Sequence, residues 1–231
     1  MIQHRPRQKL DGAERDWLRA RHHFAVGAHG NIAHSPLGCL VVLNDDEIAA
    51  NRGFPLHSHR DMEIITYVRE GVVIHRDSLG NVGETRAGDV QVMSAGTGIH
   101  HEERSYAGGT TRIYQIWILP RAKGDQARWG TKPFPKQDRA GRWVPLASGL
   151  DDAEALPIGA DARVMGATLP AGESLTYPLV SARKAYVVPA AGRIRINGIR
   201  LEAGDGAAIE AEEEIRIEAE EQAEIILIDV A

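Results

Sequence analysis

Several residue types are scarce in this chain, and each shortage removes options. It has a single cysteine, Cys39, among 231 residues. An intrachain disulfide is excluded, which suits a reducing compartment. The opening segment MIQHRPRQKLDGAERDW lacks the apolar stretch of a secretory signal. No apolar run is long enough to span a bilayer. These features predict a cytoplasmic protein without membrane contact. Basic residues nearly vanish toward the end: from Glu202 onward eleven acids face one base, Arg216. That surface would repel a phosphate backbone, so no direct nucleic-acid binding is expected there. The six bases among the first 23 residues read as a solvated face. Histidine shows the sharpest asymmetry. All ten histidines lie at or before position 101, and the last 130 residues have none.

What remains is an ordinary globular composition, 43% hydrophobic and 26% charged, in a length that suits one large domain or two small ones. Short β-like runs recur between Gly, Pro and Asn turns, among them "CLVVLNDD", "EIITYV", "DVQVMSA", "RIYQIWIL", "RIRINGIRL" and "EIILIDV". Asn197-Gly198, flanked by alternating Arg and Ile, predicts a type I′ hairpin. Helical signal is confined to "GAERDWLRAR", read as one or two turns, and "GLDDAEAL", read as another. The Pro-, Gly- and charge-rich stretch 121–141 reads as a connector. The two sides look related. Ala-Gly-Asp occurs at 87–89 and again at 203–205, and Gly71 and Gly192 hold comparable places upstream. This pattern predicts an all-β chain made of a duplicated sandwich or small barrel.

The chemistry-bearing residues are concentrated in two places. In "GFPLHSHRDMEIITYVREG", His57 and His59 stand two apart, and Asp61 and Glu63 continue the stride. On a strand, such residues share a face, about 6–7 Å apart. Forty-four residues after His57, "MSAGTGIHHEERS" offers either His100 with Glu102 or His101 with Glu103, and only one pair can face inward. Two such pairs on adjacent strands of an antiparallel barrel can meet inside. Three imidazoles and a carboxylate would bind one divalent transition metal and leave positions open for water or substrate. A lone His-x-His is commonly a surface or hydrogen-bonded pair, but two pairs with a carboxylate are poorly explained by chance. His75 is expected on the inner wall or in a structural role. Asp61 is expected to orient a histidine or face solvent. The tryptophans read as core or rim packing, and His22 and His23 as residues following the helical turn. The second half cannot repeat the site, because Pro178 and Val180 stand where His57 and His59 stand in the first.

"GFPLHSHRDMEIITYVREG", "HRDSLGN", "AGDVQVMSAGTGIHHEE" and "YQIWILP" together resemble the pirin family of the cupin superfamily. The resemblance covers most of the first 120 residues and is only a general strand pattern beyond them. It implies a bicupin: two antiparallel β-barrels of the jelly-roll type with few short helices. The implied boundaries are an N-terminal barrel at 1–120, a linker at 121–141 and a C-terminal barrel at 142–231. Residue by residue, it implies His57, His59, His101 and Glu103 as metal ligands, and makes His100 and Glu102 outward-facing. It favours Glu103 over Glu63, which stands where many other cupins place their glutamate ligand. "HHF" resembles the His-x-Phe of bacterial members, with His22 at the histidine. The implied activity is that of quercetin 2,3-dioxygenases, which cleave flavonols with O2. Glu103 would serve as both ligand and proton acceptor. Fe(II) would be the first choice of metal ahead of Mn, Co, Ni, Cu or Zn. The alternative is a metal-binding regulator that acts through a protein partner.

Overall fold

The structure is a computed structural model that describes residues 1–25, 31–180 and 182–231. His29 lies outside the described residues. Two units each pair a seven-stranded sheet with a four-stranded one. In the first unit the large sheet runs Arg128–Lys132, Val90–Ser94, Glu63–Glu70, Thr111–Ile118, Leu40–Ile48, Leu18–His22, Asp11–Arg15. Its small sheet runs Gly53–His59, Ile99–Ser105, Val72–Asp77, Val82–Arg86. The second unit repeats this order except at the large sheet's edge, where Leu156–Pro157 follows its neighbour in the chain and pairs parallel to it, whereas Asp11–Arg15 precedes its neighbour and pairs antiparallel. Its large sheet runs Ile2–Arg5, Gly206–Ile209, Lys184–Ala191, Ala223–Val230, Ala162–Leu169, Val144–Ser148, Leu156–Pro157. Its small sheet runs Ser174–Pro178, Glu214–Ala219, Ile194–Ile196, Ile199–Leu201. The Asn197-Gly198 hairpin forms as expected, with positive φ at both residues.

The correspondence extends to an exchange of strands. Ile2–Arg5, first in the chain, pairs with Gly206–Ile209 in the second unit. Arg128–Lys132, from the stretch expected to be a connector, pairs with Val90–Ser94 in the first unit. A short 3-10 helix follows each exchanged strand, at Arg7–Lys9 and Lys136–Arg139, and these are the only helices among the described residues. The shared Ala-Gly-Asp tripeptides hold these crossovers. Gly88 and Gly204 adopt φ of 93° and 82°, a region open mainly to glycine. Asp89 then accepts the backbone N–H of Phe134 at 3.1 Å, and Asp205 that of Arg7 at 2.8 Å. Each aspartate therefore ties down the segment that has crossed into its sheet.

Two local readings are corrected. The expected helical turn at 12–21 is a hairpin, Asp11–Arg15 with Leu18–His22. Its period is two: Leu18 and Ala20 are buried, while Arg19 and Arg21 face outward to Glu47 and Glu14. "GLDDAEAL" is not helical either, because Asp152 accepts the Ser148 hydroxyl at 2.6 Å in a turn that leads to Leu156–Pro157.

The interiors of the two units differ. The second is filled by one apolar cluster, including Met165, Leu169, Ile194, Ile196, Ile215, Ile217 and Leu227. The first holds two smaller clusters, one around Ile48, Val68 and Ile113, the other around Ile64, Met93 and Ile99. The largest cluster joins the units, with Leu43, Ile65 and Tyr67 meeting Val164, Tyr186 and Ile228. No helix of the described residues is long and apolar enough to cross a membrane.

A buried ionic knot crosses this junction. Tyr67 of the first unit donates to Glu224 of the second. Arg139, fully buried, reaches the same carboxylate at 3.3 Å and the Gly88 carbonyl at 3.4 Å, while Lys136 pairs with its other oxygen at 2.8 Å. Removing one partner of such a set strands the others without water. Arg139→Leu is expected to cost about 3–5 kcal/mol, read as a fall in the urea midpoint at unchanged slope.

Candidate metal centre

The first unit's small sheet sets the histidines. His57 lies opposite His101, and His59 opposite Ile99. An irregularity between His101 and Glu103 shifts the register, so that Glu103 faces Phe54 and Glu102 alone stands against two residues of the partner strand, Pro55 and Leu56. Proline suits this break because it has no N–H to donate to the ladder. Its carbonyl turns back and accepts from His57 Nδ1 at 2.7 Å. A carbonyl can only accept, so Nδ1 carries a proton, and Nε2 is the nitrogen this tautomer leaves to offer a lone pair inward. His57 Nε2 lies 3.1 Å from His101 Nε2. The ligating atoms of His57, His59 and His101 all fall within 4.8 Å of one another. His57 and His59 are half-buried, whereas His101 is 1% exposed.

Two of these imidazoles have lost basicity. Burial, then His57, lowers His59 to about 4. Burial, then His57, His59 and His75, lowers His101 to about 3. At neutral pH neither ring holds an extra proton that a cation would have to displace.

Glu103 lies deeper and is 1% exposed. With His75 and His101 it forms a second group of donors within 4.8 Å of one another. A polar belt crosses the large sheet beside it, through the register partners Asn44, Gln115, Thr66, Gln91 and Thr131. Gln115 donates to Glu103 Oε2 at 2.8 Å, and Gln91 and Thr66 donate to Oε1. The amide orientations follow from their other partners. Trp117 donates to Gln115 Oε1 at 3.1 Å, and Thr85 to Gln91 Oε1 at 3.0 Å, which leaves both NH2 groups for the carboxylate. Burial raises Glu103 to about 7 against the lowering effect of the Thr66, Gln115 and Gln91 hydrogen bonds. Such a carboxyl can take or release a proton near neutrality. Aromatic rings enclose the group: Trp117 meets His59 edge-on at 4.9 Å, and Trp129 stacks on His75 at 4.7 Å.

The other candidates sit elsewhere. His100 and Glu102 point away from the cluster: His100 is exposed, and Glu102 pairs with Arg104 at 3.4 Å. Glu63 faces the junction between units, where it accepts the Ser94 hydroxyl at 2.6 Å. Asp61 accepts the Gly124 amide at 2.8 Å. His23 bonds Tyr186 across the units at 2.8 Å. His22 is half-buried beside Asn44 and belongs to neither donor group. Reading the sequence missed Asp46, which is 1% exposed, lacks a hydrogen-bond partner on either oxygen among the described residues, and is raised to about 8 by burial, Asp45 and Glu103. It also missed Gln91 and Gln115. The available signal was parity: Asn44 and Asp46 share the inward stride of Val42 and Ile48 in "LVVLNDDEI".

Paired sheets repeated in two units, with a histidine group inside only the first, define a bicupin. The pirin family model matches residues 3–118, and a model described as the quercetinase C-terminal cupin domain matches 145–230. A pirin-like protein of Caulobacter vibrioides is 56% identical, with all of both chains covered. A quercetin 2,3-dioxygenase of Escherichia coli is 34% identical over all of this chain and 99% of that one. Among solved structures, the bacterial pirin YhhW of Escherichia coli in complex with nickel(II) superposes with a TM-score of 0.93 at 33% identity, covering 100% of this chain and 99% of that one. The chain belongs to the pirin family.

The depressed imidazole basicities lead to a direct expectation. In metal-free protein, ring NMR signals of His59 and His101 should stay those of neutral imidazole down to about pH 4 and 3. Titration of either ring near the usual pH of about 6.5 would contradict the buried geometry.

Proposed function

We propose that the protein is a metal-dependent dioxygenase of the pirin type that cleaves flavonols such as quercetin with O2. One observation carries the reading: three imidazoles converge beside a buried carboxyl poised near neutrality. His57, His59 and His101 would hold one divalent transition metal, and Glu103 would supply the carboxylate ligand. The donor set fits such an ion, because the His57 Nε2 lone pair faces inward and His101 Nδ1 is buried without a partner among the described residues. Fe(II) is our first choice among metals with these ligand preferences. When bound, the ion supplies a Lewis-acidic position for the flavonol oxygen and a route to O2 chemistry.

The protein's own part is positioning and proton transfer. Glu103 accepts the proton of the flavonol 3-hydroxyl through a carboxylate oxygen. Gln91, Gln115 and Thr66 keep that carboxylate aimed and share its charge. Trp117, beside His59, offers an aromatic wall to a flat phenolic ring. The half-buried His57 and His59 leave the outer side of the group open to substrate.

His57→Ala/His101→Ala should remove nearly all bound metal, and full occupancy in that double variant would overturn the ligand assignment. Glu103→Gln should keep the metal through its amide oxygen but lower turnover by about 100-fold or more. Equal losses in both would mean that Glu103 is a ligand alone. The activity itself is tested with quercetin and labelled oxygen, by following carbon monoxide and label in the ester product. Absence of carbon monoxide across the Fe, Mn, Co, Ni and Cu forms would reject flavonol cleavage.

A further inference from the structure

The pirin pattern gives no metal role to His75, yet this residue is placed like a ligand. It is 0% exposed and directly opposite Glu103 in the strand register. Its Nε2 lies 3.0 Å from Asp77 Oδ2. Asp77 also accepts from the backbone N–H groups of Leu79 and Asn81 and from the Asn81 side chain. An ionised carboxylate only accepts, so His75 Nε2 carries the proton. Its Nδ1 is then a bare lone pair, buried with no hydrogen-bond partner among the described residues. Trp129 lies flat against the ring, 8° from parallel, and holds its orientation. A histidine that donates one ring N–H to a carboxylate and turns the other nitrogen inward has the arrangement common to metal-bound histidines. Its available partners surround it: donor atoms of His75, His101 and Glu103 lie within 4.8 Å of one another, and all three residues are buried.

We propose that the first barrel contains a second, inner station for a divalent cation, formed by His75, His101 and Glu103. It shares His101 and Glu103 with the outer station, where His57 and His59 complete the set; this deepens the metal-binding reading and rests on it. One ion uses the two stations in turn. A neutral His101 ring offers one lone pair, so two ions would require it to lose its last ring proton. Two dications this close would also repel strongly in a dry interior. The stations differ in access. The outer one includes two half-buried rings, whereas every inner ligand is buried. An ion at the inner station is withheld from solvent, and an ion at the outer station is open to substrate.

Co(II) titration of the whole chain, read by metal stoichiometry and visible absorption, tests this. His57→Ala/His59→Ala deletes only the outer ligands, at half-buried positions. It should still take up Co(II) stoichiometrically, with an absorption spectrum distinct from that of the unmodified chain. Adding His75→Phe to that double variant should abolish uptake, while His75→Phe alone should leave the outer station able to bind. Thermal melting of each variant establishes that it is folded. If the unmodified chain takes up no Co(II), the metal-binding reading fails and the inner station fails with it. If the unmodified chain binds and the folded double variant does not, the inner station alone is overturned. Uptake by the folded triple variant would also overturn it, because the ion would then be held without His75.

Discussion

A carboxyl group buried inside a β-barrel must find donors, a cation or a proton, and the first unit is arranged around that demand at Glu103. The belt of Gln115, Thr66 and Gln91 supplies donors from the large sheet. His101, on the same strand and the same face, belongs both to the donor group of Glu103 and to that of His57 and His59. Burial raises the Glu103 carboxyl to about 7 and lowers His101 to about 3. Trp117 links the two systems, since its N–H orients Gln115 while its ring edge packs on His59. A change at Trp117 therefore reaches the carboxylate through Gln115, two hydrogen bonds away.

The second unit shows what the same topology becomes without that demand. Apart from one edge strand it repeats the first, yet its interior is closed mainly by Ile, Leu, Val and Ala. The duplication is kept in the frame, where Gly88 and Gly204 turn alike and Asp89 and Asp205 each clamp an exchanged segment. The exchange of Ile2–Arg5 and Arg128–Lys132 and the Tyr67–Arg139–Glu224 knot join the filled barrel to the one that carries the polar group. Well-packed apolar contacts in the second unit can in this way support a first unit whose core is interrupted by polar groups.

Much of this was legible in the sequence where the signal is local. The stride of His57 and His59 and the Asn197-Gly198 turn follow from backbone geometry alone, and both appear in the fold. Parity also offered two pairs at 100–103, and the structure buries His101 and Glu103 while leaving His100 exposed. Less legible was whatever depends on distant partners. Arg128–Lys132 looked like connector because its ladder partner, Val90–Ser94, is remote in sequence. The hairpin at 11–22 looked helical because its charges mask a period of two, which only burial against Ile48 and its neighbours makes plain. Asp46 and His75 were hard to place because an acid or imidazole in a strand reads the same facing water or facing a cavity.

The central claim is that the cation sits inside the first barrel, against imidazoles and Glu103. An anomalous-scattering map from crystals of the metal-loaded protein tests it most directly. The account predicts one strong peak within bonding distance of His101 and Glu103. A peak beside Glu63 or Glu102, with Glu103 turned away, would contradict it, as would a peak in the histidine-free second barrel.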